Sequence, residues 1–179
     1  MDQAQGKRVA VLVEKLYEDL ELWYPVLRLR EAGAQVTIVG PQAGESYASK
    51  HGYPARAEAS ASEVKASDFD AIVIPGGYSP DHIRRHKAMV DLVAEAARLG
   101  KVIASICHGP WVLCSTKALK GRKVTGFFSI RDDVENAGGL WQDEACVRDG
   151  NLVTSRTPDD LPEFLKGLFA ALAAADARA

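Results

Sequence analysis

The segment KVIASICHGPWVL, residues 101–113, carries the turn on which the expected fold depends. Its first half, KVIASI, is a continuous apolar run with β-branched residues, which is typical of a strand covered on both faces. Gly109 and Pro110 then mark the start of a helix, because proline suits the first helical turn. Cys107 lies between the two elements, so the sequence predicts a strand, a sharp turn at a thiol and a helix.

The same alternation of strands and helices runs through the chain. It predicts an α/β fold with a doubly wound, mostly parallel sheet and right-handed crossovers. No repeat or linker interrupts the pattern, so we expect a single domain covering residues 1–179. The predicted strands are RVAVLV (8–13), QVTIVG (35–40), DAIVIPGG (70–77) and KVIASI (101–106), with a hairpin at 44–58 and a further strand pair around Asp149 and Gly150.

Composition and charge exclude several classes of partner. The 22 basic and 24 acidic residues give a net charge of −2, and no long basic run appears, which argues against nucleic acid and anionic membranes. The start of the chain lacks a secretory signal, and the apolar tail GLFAALAAA is about half the length of a membrane span. The three cysteines lack metal-site spacing, which is typical of free thiols in a reducing compartment. We therefore expect a cytoplasmic protein without membrane or nucleic-acid partners.

The residues around Cys107 follow the pattern of a nucleophile elbow, with cysteine in place of serine. Ser105 and Gly109 are small residues two positions before and after it, and they let the strand and helix approach through a sharp turn. Such a turn exposes the side chain, and the helix amino terminus stabilises a thiolate. The alternative is a buried structural cysteine, which is the role expected of Cys114 and Cys146.

A thiol nucleophile needs a base, and the chain has four histidines, of which His108 is the last. The absence of a later histidine argues against glutaminase-type amidotransferases and α/β-hydrolases. His108 is the candidate base, although adjacent side chains seldom hydrogen-bond directly; the alternative is a polar residue in the first helical turn. His82 and His86 stand one helical turn apart without a clear third ligand, so we expect no metal and no cofactor.

An acid beside the sulfur is expected from the residues after the first strand. Glu14, Glu18 and Glu21 all follow it, and its carboxyl end should lie near that of the Cys107 strand. An ionised carboxylate would raise the thiol pKa, so a helpful glutamate must be protonated and donate a hydrogen bond. Spacing alone does not choose among the three, and an exposed helical glutamate is the alternative for each.

A glycine pair ends another predicted strand at the same edge of the sheet. Gly76 and Gly77 free backbone N–H groups to approach a ligand, which suits an oxyanion hole shared with the amide of His108. A plain turn is the alternative. The pair is therefore a candidate binding element for the reacting oxygen.

Five segments in one register resemble the PfpI-type branch of the ThiJ/PfpI superfamily. This branch includes an archaeal intracellular cysteine peptidase and bacterial glyoxalase- and deglycase-like stress enzymes. The resemblance implies a flavodoxin-like sandwich of the class I glutamine-amidotransferase-like type, with its core at about 7–172, and assembly into dimers or hexamers. The segments are PGG (75–77), ASICHGP (104–110), GRKVT (121–125), DDVENAG (132–138) and SRTPDDLP (155–162).

The resemblance also implies roles for individual residues. Cys107 matches the elbow nucleophile with an oxidation-sensitive sulfur, and Glu18 matches the glutamate that hydrogen-bonds it. His108 matches the triad histidine, and Gly76 and Gly77 match the oxyanion-hole segment.

The third member of the triad is implied to be an acid from a neighbouring subunit, and its position here is Asp81. The archaeal peptidases carry glutamate there, so Asp81 has a shorter reach. Phe127 stands where some members carry tyrosine, which removes a hydroxyl. Both departures favour a small carbonyl substrate over a peptide.

The leading hypothesis is a cytoplasmic, cysteine-dependent stress enzyme that acts on reactive carbonyls. Methylglyoxal, glyoxal or early glycation adducts would be the substrates, as in glyoxalase III-like or deglycase-like enzymes. An alternative is an intracellular cysteine peptidase or amidase that uses Cys107, His108 and Asp81 across a subunit interface. A non-enzymatic alternative is a redox-sensing or chaperone-like stress protein.

Overall fold

The expected strands assemble into a seven-stranded sheet in the computed structural model, which describes residues 3–177. Along the chain the strands are β1 (Arg8–Leu12), β2 (Gln35–Gly40), β3 (Ser46–Ala48), β4 (Pro54–Arg56), β5 (Ala59–Ser60), β6 (Ala71–Ile74), β7 (Val102–Ile106), β8 (Lys123–Val124), β9 (Leu140–Trp141), β10 (Cys146–Asp149) and β11 (Leu152–Ser155). Seven of these strands form the large sheet, in the order β10-β11-β7-β6-β1-β2-β5, and the other four form two-stranded sheets, β3 with β4 and β8 with β9.

Six α-helices lie among the strands in the described part of the chain. They are α1 (Asp19–Glu31), α2 (Ser79–Ile83), α3 (Lys87–Arg98), α4 (Pro110–Cys114), α5 (Arg131–Asn136) and α6 (Leu161–Asp176).

The pairing is parallel everywhere in this sheet except at one edge. β1 pairs in parallel with β2 and β6, and β7 pairs in parallel with β6 and β11. Only β10 runs antiparallel, against β11. The prediction of a doubly wound, mostly parallel sheet is confirmed. The chain winds from β1 to β2 on one side and to β6 on the other, so the crevice beyond the carboxyl ends of β1 and β6 is where a ligand is expected.

The core has two layers because alternate residues of a strand face opposite sides of the sheet. Val9 and Val11 of β1 pack in one cluster with residues of α1 and α6. Ala10 and Leu12 pack in the other, with residues of α3 and α4. Burial on both faces explains why β1 is an uninterrupted apolar run. Among residues 3–177, no helix is both long enough and apolar enough to cross a membrane.

The predicted hairpin at 44–58 is formed by β3 and β4, which pair antiparallel. It is fastened to the loop after β1. The N–H of Leu16 donates to the carbonyl of Ala48 at 2.8 Å, and the N–H of Lys50 donates to the carbonyl of Tyr17 at 2.9 Å. These bonds hold Lys50 beside the carboxyl ends of the central strands.

Candidate active site

The backbone turns sharply at Cys107, between β7 and α4. Its φ is 59°, in the left-handed region that a residue with a Cβ adopts only at a cost of about 1–3 kcal/mol. Two hydrogen bonds hold the turn: the Cys107 N–H donates to the Ser155 carbonyl at 3.0 Å, and its carbonyl accepts from the Phe127 N–H at 2.8 Å. The surroundings thus keep the thiol in the strained elbow that the sequence predicts.

The turn requires small neighbours. A Cβ at Gly109 would lie 2.5 Å from Ser105 Oγ and 2.6 Å from the Ile74 carbonyl oxygen. A Cβ at Gly76 would lie 2.7 Å from the Cβ of Cys107. All three separations are below van der Waals contact, so the two glycines let the strand ends and the helix meet around the thiol.

Polar groups surround the Cys107 sulfur, although only 7% of the residue is exposed. The backbone N–H groups of Gly77 and His108 and the carboxyl group of Glu21 lie close enough to the sulfur to affect its pKa. The Nδ1 atom of His108 lies 3.2 Å from the sulfur. Adjacent side chains seldom come this close, but the left-handed backbone at Cys107 brings these two to the same side.

Glu21 is fully buried on the first turn of α1. Its Oε2 accepts the Gly76 N–H at 2.8 Å. Burial, and next the nearby charge of Glu18, raise the pKa of Glu21 to about 8. The side chain is therefore mostly protonated at neutral pH, as a hydrogen-bond donor to the sulfur must be.

The carboxyl group beside the thiol belongs to Glu21, whereas the resemblance implies Glu18, so that expectation was wrong: a Cβ at Gly76 would lie 2.6 Å from Glu21 Oε2 and 2.7 Å from the Cβ of Cys107. Glu18 is the N-cap of α1, and its Oε2 accepts the Glu21 N–H at 2.9 Å. This bond turns the Glu18 carboxylate towards its own helix. Glu14 faces elsewhere, with Oε2 at 3.1 Å from His82 Nδ1.

The expected lowering of the Cys107 pKa is also not what the structure gives. Burial, and next the negative charge of Glu21, raise the pKa of this thiol to about 12, against the opposing effect of the Gly77 and His108 amides. The charge of Glu21 vanishes when its carboxyl is protonated. Thiolate therefore forms most readily in the state in which Glu21 keeps its proton.

His108 has partners on both ring nitrogens. Besides the sulfur at Nδ1, its Nε2 lies 3.3 Å from Ser129 Oγ, and the ring stacks on Phe127 with centroids 4.8 Å apart. Burial, and next the charge of Lys50, lower its pKa, which favours the neutral imidazole that accepts a proton. No sequence pattern indicated Ser129, which is 21 residues from His108 along the chain.

Asp81 does not join this group within one chain. It lies on α2 and pairs with Arg85, one helical turn later. Among residues 3–177, no carboxylate forms an ion pair or hydrogen bond with His108. Of the predicted oxyanion donors, the Gly76 N–H already donates to Glu21 Oε2. The amides of Gly77 and His108 remain, and both face the sulfur.

The sulfur opens into a cavity of about 400 Å³ at the carboxyl edge of the sheet, hereafter the thiol cavity. Apolar and aromatic side chains form much of its wall, and the exposed Lys50 lies at its side. The space suits a small substrate whose carbonyl carbon meets the sulfur, while its oxygen faces the amides of Gly77 and His108. Its walls include Leu16, Tyr78, Phe127 and Pro158.

One group beside this cavity has the composition of a metal site. Ligand atoms of Glu18, Asp19 and His51 lie within 4.8 Å of one another. Asp19, however, already accepts from Ser49 Oγ at 2.6 Å and lies 2.8 Å from His51 Nδ1. These bonds account for the cluster without an ion.

Comparison with known proteins identifies the family. Residues 7–171 match the DJ-1/PfpI family, so the chain belongs to it. It is 44% identical to the putative cysteine protease YraA of Bacillus subtilis, over 89% of this chain and 94% of that protein. It is 43% identical to the deglycase TK1284 of Thermococcus kodakarensis, over 89% and 95%. A solved two-domain protein from Anabaena variabilis, with DJ-1/ThiJ/PfpI-like and ferritin-like domains, matches with a TM-score of 0.91 at 43% identity, over 93% of this chain and 48% of that one.

Proposed function

We propose that this member of the DJ-1/PfpI family is a cytoplasmic cysteine-dependent enzyme acting on reactive carbonyls. Methylglyoxal, glyoxal and early glycation adducts are the proposed substrates. The observation that carries the proposal is the position of the Cys107 sulfur. It lies between the buried, protonated carboxyl of Glu21 and the neutral ring of His108, and it opens into a small cavity. Similarity to a protein named a deglycase supports this substrate class.

In the first step the sulfur attacks the aldehyde carbon of methylglyoxal. The thiol proton passes to Nδ1 of His108, a C–S bond forms, and the π bond of the carbonyl breaks. The amides of Gly77 and His108 stabilise the negative oxygen until it takes a proton and becomes a hemithioacetal hydroxyl. With a glycation adduct the attacked carbon carries nitrogen, so its C–N bond breaks and the amine leaves with a proton.

The second step moves a proton between the two carbons of the hemithioacetal. Removal of the proton from the sulfur-bearing carbon gives an enediol, and return of a proton to the neighbouring carbon gives a thioester. The first carbon is oxidised as the second is reduced, so no external oxidant is needed. Water then breaks the C–S bond, which releases lactate and restores the thiol. His108 is placed to carry these protons because its Nδ1 lies 3.2 Å from the sulfur.

The test compares Cys107→Ser with Cys114→Ser, a matched change at a cysteine outside the cavity. Wild type and Cys114→Ser should convert methylglyoxal to lactate, whereas Cys107→Ser should lose about 10³-fold or more in rate. Lactate is measured enzymatically, and release of free amine from a glycated peptide is followed in parallel. Equal, background-level product from wild type and Cys107→Ser would remove the proposal.

A peptidase activity is the second candidate, supported by the short distance between His108 and the sulfur and by similarity to a putative cysteine protease. We propose that Asp81 of a second copy would then supply the missing acid. An unmodified fluorogenic peptide is the third substrate in the same assay, with oligomer size measured on each fraction. Cleavage that persists in isolated monomer, or in Asp81→Asn, would contradict the shared site.

A further inference from the structure

A cavity larger than the thiol cavity lies away from Cys107, at the amino edge of the sheet. Its volume is about 830 Å³, against about 400 Å³ for the thiol cavity. Ile103, near the start of β7, lies in its wall, whereas Cys107 follows the end of the same strand. The two sites are therefore separated by about four residues of strand, or roughly 13 Å.

Four parts of the chain surround this space, hereafter the basic cavity. They are the end of α3, the start of β7, the segment after α4 and the start of β11. Arg98, Ile103, Lys117, Lys120, Arg122 and Leu152 define it.

Apolar side chains form the inner wall of the basic cavity. Ile103 and Leu152 are register partners on adjacent strands, and both are buried. Ala94 and Ala97 of α3 line the space with methyl groups, so the helix leaves room where larger side chains would fill it. A volume of this size with an apolar wall is typical of cavities that hold the apolar body of a small molecule.

Positive charge surrounds this wall. Four lining residues are Lys or Arg, and none is Asp or Glu. Arg98 is bound by Glu95, and Arg122 is bound by Asp149. Within the part of the chain that the structure describes, the exposed side chains of Lys117 and Lys120 have no ion-pair partner. Two cations are therefore available to a ligand.

A neighbouring cavity provides a contrast. It has a volume of about 490 Å³, and its lining includes Lys65, Asp91 and Glu95. One cation and two carboxylates make it unfavourable for an anion. An apolar wall with a surplus of cations distinguishes the basic cavity.

We propose that the basic cavity binds an organic anion with an apolar body, such as an aromatic or aliphatic carboxylate, sulfonate or phosphate. The apolar part lies against Ile103, Leu152 and the α3 alanines. The anionic group lies between Lys117 and Lys120. This site is independent of the chemistry at Cys107, so failure of either proposal leaves the other standing.

The test uses two fluorescent probes of similar shape and different charge. 8-Anilinonaphthalene-1-sulfonate carries an anionic group, and N-phenyl-1-naphthylamine is neutral. In Lys117→Gln/Lys120→Gln the Kd of the sulfonate should rise about five- to tenfold, because two exposed charge contacts are lost. The Kd of the neutral probe should stay within about twofold, since the wall is unchanged.

Two further variants separate charge from shape. Lys65→Gln, in the neighbouring cavity, should leave both probes unaffected. Ala97→Leu narrows the basic cavity without changing charge, so it should weaken both. Circular dichroism checks that each variant is folded, and the exposure of both lysines makes their replacement compatible with folding. Sulfonate binding that is unchanged in Lys117→Gln/Lys120→Gln, or weakened equally by Lys65→Gln, would overturn the proposal, as would unchanged binding of both probes in Ala97→Leu.

Discussion

The two edges of the central sheet hold cavities of different kinds. At the carboxyl edge, the thiol cavity contains a buried acid whose pKa is raised to about 8 and a sulfur held in a left-handed turn. At the amino edge, the larger basic cavity has apolar walls and exposed lysines. Burial changes protonation and positions reacting atoms, whereas exposed charge attracts a ligand without altering its bonds. The proposed chemistry belongs to the first edge and the proposed ligand binding to the second.

The largest expected effect is a loss of stability on replacing a glycine at the carboxyl edge of the sheet. A glycine with the same backbone conformation at the amino edge is the control. Gly77 has φ +71°, and a Cβ there would lie 2.4 Å from the Leu16 carbonyl oxygen and 2.6 Å from the Glu18 nitrogen. Gly121 has φ +72° and nothing within 4 Å of a Cβ. Gly77→Ala should lower the free energy of unfolding by about 3 kcal/mol or more, because backbone must move. Gly121→Ala should lower it by about 1 kcal/mol, the cost of the left-handed conformation alone.

Urea denaturation measures both changes. Equal losses would mean that the loop after β1 yields easily, and the carboxyl edge would then be no more rigid than the amino edge.

An effect of similar size is expected from the proton on Glu21. Its pKa is raised from the ordinary value of 4.5 to about 8 in the folded protein. The folded state therefore keeps a proton that the unfolded chain releases above about pH 4.5. The stability this provides is full below that pH and is lost as pH rises through about 8. Glu21→Gln removes the titration, so the stability of wild type relative to this variant should fall by a few kcal/mol between pH 5 and 8.5.

Urea midpoints of both proteins at pH 5, 6.5 and 8.5 test this expectation. Other carboxyl groups titrate in both proteins, so their contributions to the free energy of unfolding cancel in the difference. A difference that does not change with pH would show that Glu21 is ionised throughout, and the protonated donor to the sulfur would be lost from the mechanism.

The sheet and the elbow are predictable from sequence because their causes are local. A strand buried on both faces must be a continuous apolar run, as β1 and β7 are. The elbow needs small residues at fixed offsets from the nucleophile, and Ser105 and Gly109 meet that need. These constraints involve neighbours along the chain, so spacing reveals them.

The choice among the three glutamates depends on where α1 begins. If Glu18 caps the helix, its carboxylate binds the N–H three residues later, and Glu21 occupies the position that faces β6 and the sulfur. The helix start can shift by a residue or two without changing the apolar pattern, so the pattern does not determine which glutamate faces inward. The Glu-x-x-Glu spacing at 18–21, read as an N-cap with its third helical residue, was the available signal.

The remaining features arise from contacts between distant segments. Ser129 reaches His108 from a loop, and the basic cavity is bounded by four separate parts of the chain. No spacing rule connects Lys117 with Ile103. Features of this kind become visible only when the packing of the elements is known.

The smallest expected effect is a difference in the rate at which the three thiols are oxidised. It tests whether burial or the polar groups beside the sulfur determine the reactivity of a thiol. Burial raises the pKa of Cys107 to about 12 and that of Cys114 to about 11, and it also raises the pKa of Cys146. By burial alone, Cys107 would react last. The raised pKa of Cys107, however, includes the negative charge of Glu21, which is absent when this carboxyl is protonated below about pH 8. A protonated carboxyl can donate to the sulfur and so stabilise a thiolate.

We therefore expect mild peroxide at pH 7 to oxidise Cys107 several-fold faster than Cys114 or Cys146, as read by mass spectrometry of each peptide. Glu21→Ala removes the donor and should reduce this preference, whereas Glu14→Ala, at the glutamate that faces His82, should leave it unchanged. If Cys146 is oxidised first in wild type, burial outweighs the hydrogen bonds at the elbow. Cys107 would then be a structural thiol, and the chemistry assigned to the carboxyl edge would have no nucleophile.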